Sequence, residues 1–361
     1  MYYVQRGWRN VGWRNAVGAT RLSQRQLPQR GWRFGRANAA NKAAVSRMTG
    51  INMPTDIERG NTVSDIAVII PAYNCAHTIE RALASVFSQS ELPGEVIIVD
   101  DGSTDLTAGT IAESEYADKV KYVRQVNGGP SKARNHALSL ASKSWVAFLD
   151  ADDIWSSKDK LSQQIALLNA HPHAVLVDSY ARVDWHGARV ITINRRKNGS
   201  EFKRFLFSNV VNATSSVVAR LDCIRQIGGF AEDLRFGEDR LLWAQLAKLG
   251  EIHTLPQVTV NKFNAPDNLT SQGGENYHYR LELVERLLNL ADENTGDLAD
   301  IWFANIQEFL RLSFKVNDPP AYLRIYQDAI RLVGTKLHFS QYGLLAVYAK
   351  LFGSFKPLPR G

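Results

Sequence analysis

Trp145-Val-Ala-Phe-Leu-Asp150-Ala-Asp152-Asp153-Ile-Trp155 runs mostly apolar residues straight into three carboxylates. A short apolar run with a β-branched residue and aromatics reads as a buried strand. Its C-terminal end delivers Asp150, Asp152 and Asp153 to the edge of a sheet, where open α/β sheets bind ligands. Side chains alternate along extended backbone, so Asp150 and Asp152 face the same way with Ala151 turned aside. Two carboxylates converging on one point repel unless a cation sits between them, and Mg²⁺ or Mn²⁺ suits an all-oxygen site. The plainer alternative is a polar loop in which an Asp caps the next helix.

Upstream, the same grammar repeats. Ile66 to Ile70 reads as a buried strand, and His77 to Gln89 as a helix with Ile79, Leu83, Val86 and Phe87 on one face. Glu95 to Val99 is a second strand, ending at Asp100-Asp101-Gly102-Ser103-Thr104-Asp105; Thr104 or Asp105 is placed to cap a helix reaching Tyr116. Val120 to Val123 is a third strand. Gly128-Gly129-Pro130 breaks the chain, and Ser131 is expected to cap a helix ending at Ala141. Downstream, Lys158 to Asn169 reads as a helix with Leu161, Ile165 and Leu168 inward, and Ala174–Trp185 and Arg189–Ile193 as a hairpin turning at His186-Gly187. Strands alternating with helices imply crossover units and an α/β fold with a mostly parallel sheet. Three polar loops, Pro71 to Asn74, Asp100 to Asp105 and Asp150 to Asp153, then fall on one sheet edge. They describe a nucleotide site with an acidic metal corner. Neither a Gly-x-Gly-x-x-Gly turn nor a Gly-Lys-Ser/Thr loop is present to cradle phosphate.

The formal net charge of +7 is unevenly spread. Residues 1–55 hold ten Lys and Arg and no acid; the remaining 33 basic residues face all 36 acidic ones. The tail repeats Arg6-Gly-Trp-Arg-Asn10 as Gly12-Trp-Arg-Asn15 and in part as Arg30-Gly-Trp-Arg-Phe34, a low-complexity pattern without a folding period. Its open readings are a nucleic-acid or anionic-lipid contact, a targeting peptide, or an extension ahead of a true start at Met48 or Met53. Cys75 and Cys223 make no disulfide framework and fit a reducing compartment. No run approaches the roughly 18 to 20 apolar residues of a membrane span, and no secretory signal is visible. A cytoplasmic location is expected, with peripheral attachment at the inner membrane face left open.

Taken together, Val68-Ile-Ile-Pro71-Ala-Tyr73-Asn74, Val99-Asp100-Asp101-Gly-Ser-Thr-Asp105, Gly128-Gly129-Pro-Ser-Lys132-Ala-Arg134-Asn135, the Asp150 stretch, Gly228-Gly229-Phe230 and Phe236-Gly237-Glu238-Asp239 resemble the family 2 glycosyltransferases of the GT-A fold. The resemblance covers roughly residues 64 to 265. It implies a Rossmann-like sheet flanked by helices, with residues 1–60 as a tail, 61–270 as the GT-A domain and 271–361 as a helical extension. It implies an inverting transferase using a nucleotide-sugar donor, a UDP-sugar in particular, with Mg²⁺ or Mn²⁺ as cofactor and a glycan or lipid-linked acceptor. By motif, Pro71, Ala72 and Tyr73 would line the base pocket and Asp101 would accept a hydrogen bond from a uracil N–H. Arg134 would contact the nucleotide. Asp150 would reach the ribose or the metal shell, Asp152 would bind the metal, and Asp239 would be the catalytic base. The alternative roles are a turn residue for Asp101, a solvated helix face for Arg134, and helix caps for Asp239 and Asp153. Relatives often hold the diphosphate with a basic or His residue after the base; Lys262 and His253 are the candidates here, and neither is assigned that role. Glu201–Asn212 and Arg225–Phe236 are the expected acceptor loops.

After Ser271 the pattern is helical: Tyr277–Leu290, Leu298–Leu312, Ala321–Val333 and Gln341–Phe352. The last is rich in apolar and aromatic residues, for packing or for a membrane or partner face. The alternative to an enzyme is an inactive sugar-nucleotide binder, or a nucleic-acid binder working through the tail; no nucleic acid is expected on the folded domain.

Overall fold

A computed structural model describes residues 63–185, 188–192, 198–211, 213–263, 277–293, 295, 296, 298–315 and 318–333. The basic tail, the hairpin turn at His186-Gly187 and the helix expected at Gln341–Phe352 lie outside the described residues.

The chain begins β1 (Val63–Ala72), α1 (Ile79–Phe87), β2 (Leu92–Asp100), α2 (Thr107–Glu113), β3 (Lys121–Arg124), α3 (Pro130–Leu140) and β4 (Trp145–Phe148). Then come β5 (Ile154–Trp155), α4 (Lys160–Ala170), β6 (Ala174–Trp185), β7 (Ala188–Thr192), β8 (Asn198–Gly199), α5 (Phe202–Phe207), β9 (Val218–Arg220) and α6 (Leu221–Gln226). The rest is α7 (Glu238–Leu249), β10 (Glu251–Phe263), α8 (Tyr277–Asn289), α9 (Leu298–Lys315) and α10 (Pro319–Val333). The ten strands among the described residues join one sheet in the order β3-β2-β1-β4-β9-β6-β10-β5, with β7 on β6 and β8 on β10. The half from β3 to β4 is parallel, as expected from its crossovers. Beyond β4 the sheet is mixed: β9 runs antiparallel to both β4 and β6, while β6 and β10 are parallel. The antiparallel strand β9 lies between the two parallel groups and is too short to announce itself by pattern.

β1 is central, and Ile66 to Ile70 are fully buried because both faces are covered. On one face Ala67 and Ile69 pack with Ala133 and Ala137 of α3 and with Leu242 and Trp243 of α7. Within that core the rings of Phe148, Phe230 and Trp243 meet edge to face, with centroids 5.6 to 6.0 Å apart. They lock β4, the loop before α7 and α7 itself into one block. Leu283 and Leu287 of α8 and Ile301 of α9 belong to the same core, so the helices after the sheet are built onto it. A second cluster around Val284, Ile306, Phe309, Tyr322 and Ile325 joins α8, α9 and α10 to one another. No helix among the described residues is long and apolar enough to cross a membrane.

Three local expectations need correction. Gly129, not Ser131, is the N-cap of α3; its φ of 91° requires glycine, and Ser131 lies buried inside the first turn. The inner face of α4 holds Leu161 and Leu168 as expected but not Ile165, and it includes two polar residues. Lys160 and Gln164 are fully buried on it and Ile165 is half-buried. Lys160 Nζ donates to Gln164 Oε1 at 2.7 Å and sits 4.3 Å from the Trp155 ring centroid, while Gln164 Nε2 donates to the carbonyls of Val177 and Ser216. Burial brings the Lys160 pKa down to about 7. Finally, the Glu201–Asn212 loop contains α5.

Candidate active site

At the end of β2 the acidic residues are engaged by the protein's own donors. Asp100 is fully buried; its Oδ1 accepts the Ser103 N–H and its Oδ2 the Tyr122 hydroxyl at 2.6 Å. Burial pushes its pKa up, but the bonds from Tyr122 and Ser103 outweigh that and hold the carboxyl below its ordinary value. Asp101 accepts from Gln125 Nε2, Gly128 N–H and Gly129 N–H at 2.7 to 2.9 Å. It thereby clasps the glycine turn that opens α3. The Asp101 N–H donates to the Ala72 carbonyl, which ties this loop to the end of β1. Ala72 is buried, Pro71 half-buried and Tyr73 53% exposed. Asn74, at a φ of 46°, turns its Oδ1 toward the Thr104 N–H at 2.8 Å. Leu106, not Thr104 or Asp105, is the N-cap of α2; Asp105 just before it accepts the Thr107 N–H and hydroxyl.

The end of β4 is different. Asp150, Asp152 and Asp153 crowd together with Glu238 and Asp239 from α7 around the cations Arg134 and Lys262. Arg134 Nη2 donates to Asp150 Oδ1 at 2.8 Å, and Nη1 approaches Glu238 Oε1 at 3.4 Å. Its guanidinium lies over the Phe230 ring, 5.3 Å from the centroid, and its Nε is buried with no partner in the protein. Burial opposes the Arg134 charge, but Asp150 and Glu238 outweigh it and raise the pKa. Burial likewise raises Asp150, yet Arg134 and Lys262 hold it below the ordinary range. Asp152 is held above that range by burial and by Asp150. Asp153, also desolvated, is pushed up to about 7.

Asp153 is not a helix cap. Its Oδ2 accepts the Ser215 hydroxyl at 2.6 Å and its Oδ1 the Phe263 N–H at 3.1 Å. Ser215 Oγ in turn accepts the Asp150 N–H. The pairing of β5 with Val260 and Asn261 of β10 brings these groups together. Lys262 therefore sits beside Asp153, Asp150 and Asp152, which raise its pKa against the effect of burial. Arg81 of α1 closes the rim, donating to the Asp152 carbonyl at 2.9 Å and lying over Phe263.

Glu238 and Asp239 occupy the first turn of α7, which Gly237 enters at a φ of 76°. A Cβ there would meet Leu283 of α8 at 2.3 Å. Asp239 Oδ2 accepts from Asn209 Nδ2 at 3.0 Å, and Oδ1 from the Arg240 N–H. Burial, and next Asp239, push Glu238 up to about 7. Arg240 turns inward, donating to the Phe205 carbonyl and to Asn305 Oδ1 of α9. The carboxylates of α7 thus rest on the helices behind them.

Residues 67–221 match the model of the family described as Glycosyl transferase family 2. A putative teichuronic acid biosynthesis glycosyltransferase, TuaG of Bacillus subtilis, is 31% identical over 189 residues, which cover 51% of this chain and 73% of that protein. The chain belongs to glycosyltransferase family 2. An uncharacterised glycosyltransferase of Rickettsia conorii is 30% identical over 191 residues, 52% of this chain but only 31% of that protein. The S. aureus TarS structure with UDP-GlcNAc superposes with a TM-score of 0.57 at 22% identity, over 79% of this chain and 87% of that one. This likeness confirms the GT-A fold.

The family match ends before α7 and β10, so Glu238, Asp239 and Lys262 are placed by the structure. The oxygen-rich corner of this family 2 chain fits a hard divalent cation, because five carboxylates crowd two buried or half-buried cations and Asp152 carries no cation of its own at hydrogen-bond distance among the described residues. Sequence reasoning singled out neither Ser215 nor Asn209, although Asn209 lies in the Glu201–Asn212 stretch expected to form part of the acceptor side. It left Lys262 unassigned, although that residue points into the corner. His253 lies at the opposite end of β10, bonded to Glu251, and is no part of this site. Asn135 had a signal in the quoted motifs: its Oδ1 accepts the Phe230 N–H and its Nδ2 donates to the Phe230 carbonyl, tying α3 to the Gly228-Gly229-Phe230 turn.

Proposed function

We propose that this chain transfers a sugar from a UDP-sugar to an acceptor hydroxyl, with inversion, in the synthesis of a surface polysaccharide or related glycoconjugate. The observation that carries this reading is the meeting of two edges: the Pro71–Asp105 loops on one side, and the Asp150–Asp152 corner faced by Asp239 on the other. The UDP-GlcNAc bound by TarS and the teichuronic acid role named for TuaG support it.

Pro71, Ala72 and the exposed Tyr73 line the base pocket. Asp101 has three donors already and room for one more, which a uracil N–H supplies. Arg134 holds Asp150 toward the ribose. Asp152 and Asp150 hold Mg²⁺ or Mn²⁺, which when bound neutralises the diphosphate and eases its departure. Lys262 and Arg81 add positive charge on the same side. Asn209 orients Asp239, which takes the proton as the acceptor oxygen attacks the anomeric carbon. The bond from that carbon to the diphosphate oxygen breaks, and its electron pair leaves with UDP. One displacement by one base inverts the anomeric centre, and a positioned base contributes about 10²- to 10⁴-fold.

Calorimetry with UDP, with Mn²⁺ and then in EDTA, tests the site, and a panel of nucleotide sugars scored by thermal shift tests the donor. UDP is expected to bind tightly only with the cation and only with Asp152 present. Equal affinity in EDTA, or in Asp152→Ala, would overturn the assignment.

A further inference from the structure

The end of β10 far from the nucleotide edge carries a second group of metal-ligating side chains. Glu251 and His253 stand two residues apart on the strand, so both leave the same face. His253 Nε2 lies 2.8 Å from Glu251 Oε2. His171, which closes α4, stacks its ring on His253 with centroids 3.9 Å apart and planes 20° from parallel. The coordinating atoms of His171, Glu251 and His253 all lie within 4.8 Å of one another. At about 3.3 Å per residue, and allowing for bulges, Lys262 is roughly 30 Å away along the strand.

The frame that holds these residues is built closely. His171 accepts the Ala174 N–H at 2.8 Å and His173 accepts the Glu251 N–H at 2.9 Å, so the turn between α4 and β6 is tied to the start of β10. A Cβ on Gly250 would meet Val175 Cγ1 at 2.5 Å and the His173 carbonyl at 2.6 Å, so glycine lets turn and strand approach this closely. His253 is only 4% exposed, whereas His171 and Glu251 reach solvent and leave a way in. Two ligands on a strand and one on a pinned turn need only side-chain rotation to converge.

We infer that His171, Glu251 and His253 form a second metal site, selective for zinc or a similar borderline divalent ion, that staples the α4–β6 turn to β10. Two imidazoles and one carboxylate are a common zinc donor set, with bonds of about 2.0–2.2 Å. Such bonds set ligand atoms about 3.3 Å apart, between the closest and widest separations found here. Water, or the exposed His173 on the same turn, fills the fourth position. The all-oxygen corner at Asp152 selects a different class of ion, so the two sites are separable by metal. The inference does not depend on the proposed activity.

The test uses the full chain carrying Asp152→Ala, without nucleotide, to silence the acidic corner. Zinc titrated by calorimetry is expected to bind one ion per chain and raise the melting temperature, and Co²⁺ to give the visible absorption of a four-coordinate site. His253→Ala, Glu251→Gln and His171→Ala should each weaken zinc by about tenfold or more. His253 is buried, so if its variant fails to fold the two solvent-reaching positions carry the test. UDP binding with Mn²⁺ should be unchanged when Glu251→Gln is made with Asp152 intact. Absence of zinc binding in the Asp152→Ala chain, or unchanged affinity in Glu251→Gln and His171→Ala, would overturn the site.

Discussion

The carboxylates at the end of β2 and those at the end of β4 start from the same position, the C-terminal edge of the parallel half of one sheet, on either side of β1, and end in different states. Asp100 and Asp101 are each held by several donors from the protein: a tyrosine, a serine amide, a glutamine and two glycine amides. Asp150 is paired with Arg134 and Asp153 is bonded to Ser215 and the Phe263 amide, yet they and Asp152 crowd one another, and burial with mutual repulsion pushes Asp152 and Asp153 up. The first pair shapes loops; the second group stores unfavourable charge that a ligand can relieve. An acidic cluster whose crowded charge the fold has not offset is the better candidate for chemistry.

That contrast can be broken or sharpened by substitution. The largest effect is expected at Asp239, which faces the unsatisfied group. Asp239→Asn should keep the fold, since an amide can still meet Asn209 and suit the helix start, and should keep UDP binding, while transfer falls by about 10²-fold or more. Turnover with a known donor and acceptor would measure it; a near-normal rate would remove Asp239 and leave Glu238 as the base.

On the satisfied side the effect should move from rate to stability. Asp101→Ala strands the Gly128 and Gly129 amides and should cost about 2 kcal/mol, read as a lowered midpoint in denaturant. An unchanged midpoint would show that the clasp is not structural. Back on the Asp239 side, Asn209→Ala should lower turnover by about tenfold, the loss of one hydrogen bond to a charged group, with no change in stability of similar size.

The finest discrimination comes from pH in the absence of metal. Asp153 and Glu238, raised to about 7, bind protons in the folded state between their unfolded values near 4 and pH 7. Stability they contribute is therefore lost as pH rises through that window. Asp100 has the opposite sign: its depressed pKa contributes stability above the unfolded value near 3.9 and loses it as pH falls further. Chemical denaturation in EDTA should show the protein gaining stability from pH 7 toward 5. Asp153→Asn should flatten that slope; an unaltered slope would place the proton elsewhere.

Much of the fold is legible in residue order. The run from Ile66 to Ile70 can only be a strand covered on both faces, and Trp145 to Phe148 ends where the acids begin, because period and burial are local properties. The six motif pieces, read together, point to family 2, and the alternation of strand and helix puts three polar loops on one edge. What residue order leaves open is who answers whom across the sheet. Asp101 is engaged by Gly128 and Gly129, and the charge on Asp152 is eased by Lys262, residues 27 to 110 positions away. Nothing in residue order singles out Lys160, which Trp155 and Gln164 close around in the fold. Asp153 reads as a cap until the β5–β10 pairing brings the Phe263 amide to it. Secondary structure follows from neighbours in the chain, whereas the charge state and role of a buried polar group follow from neighbours in space, and only the closed sheet supplies those.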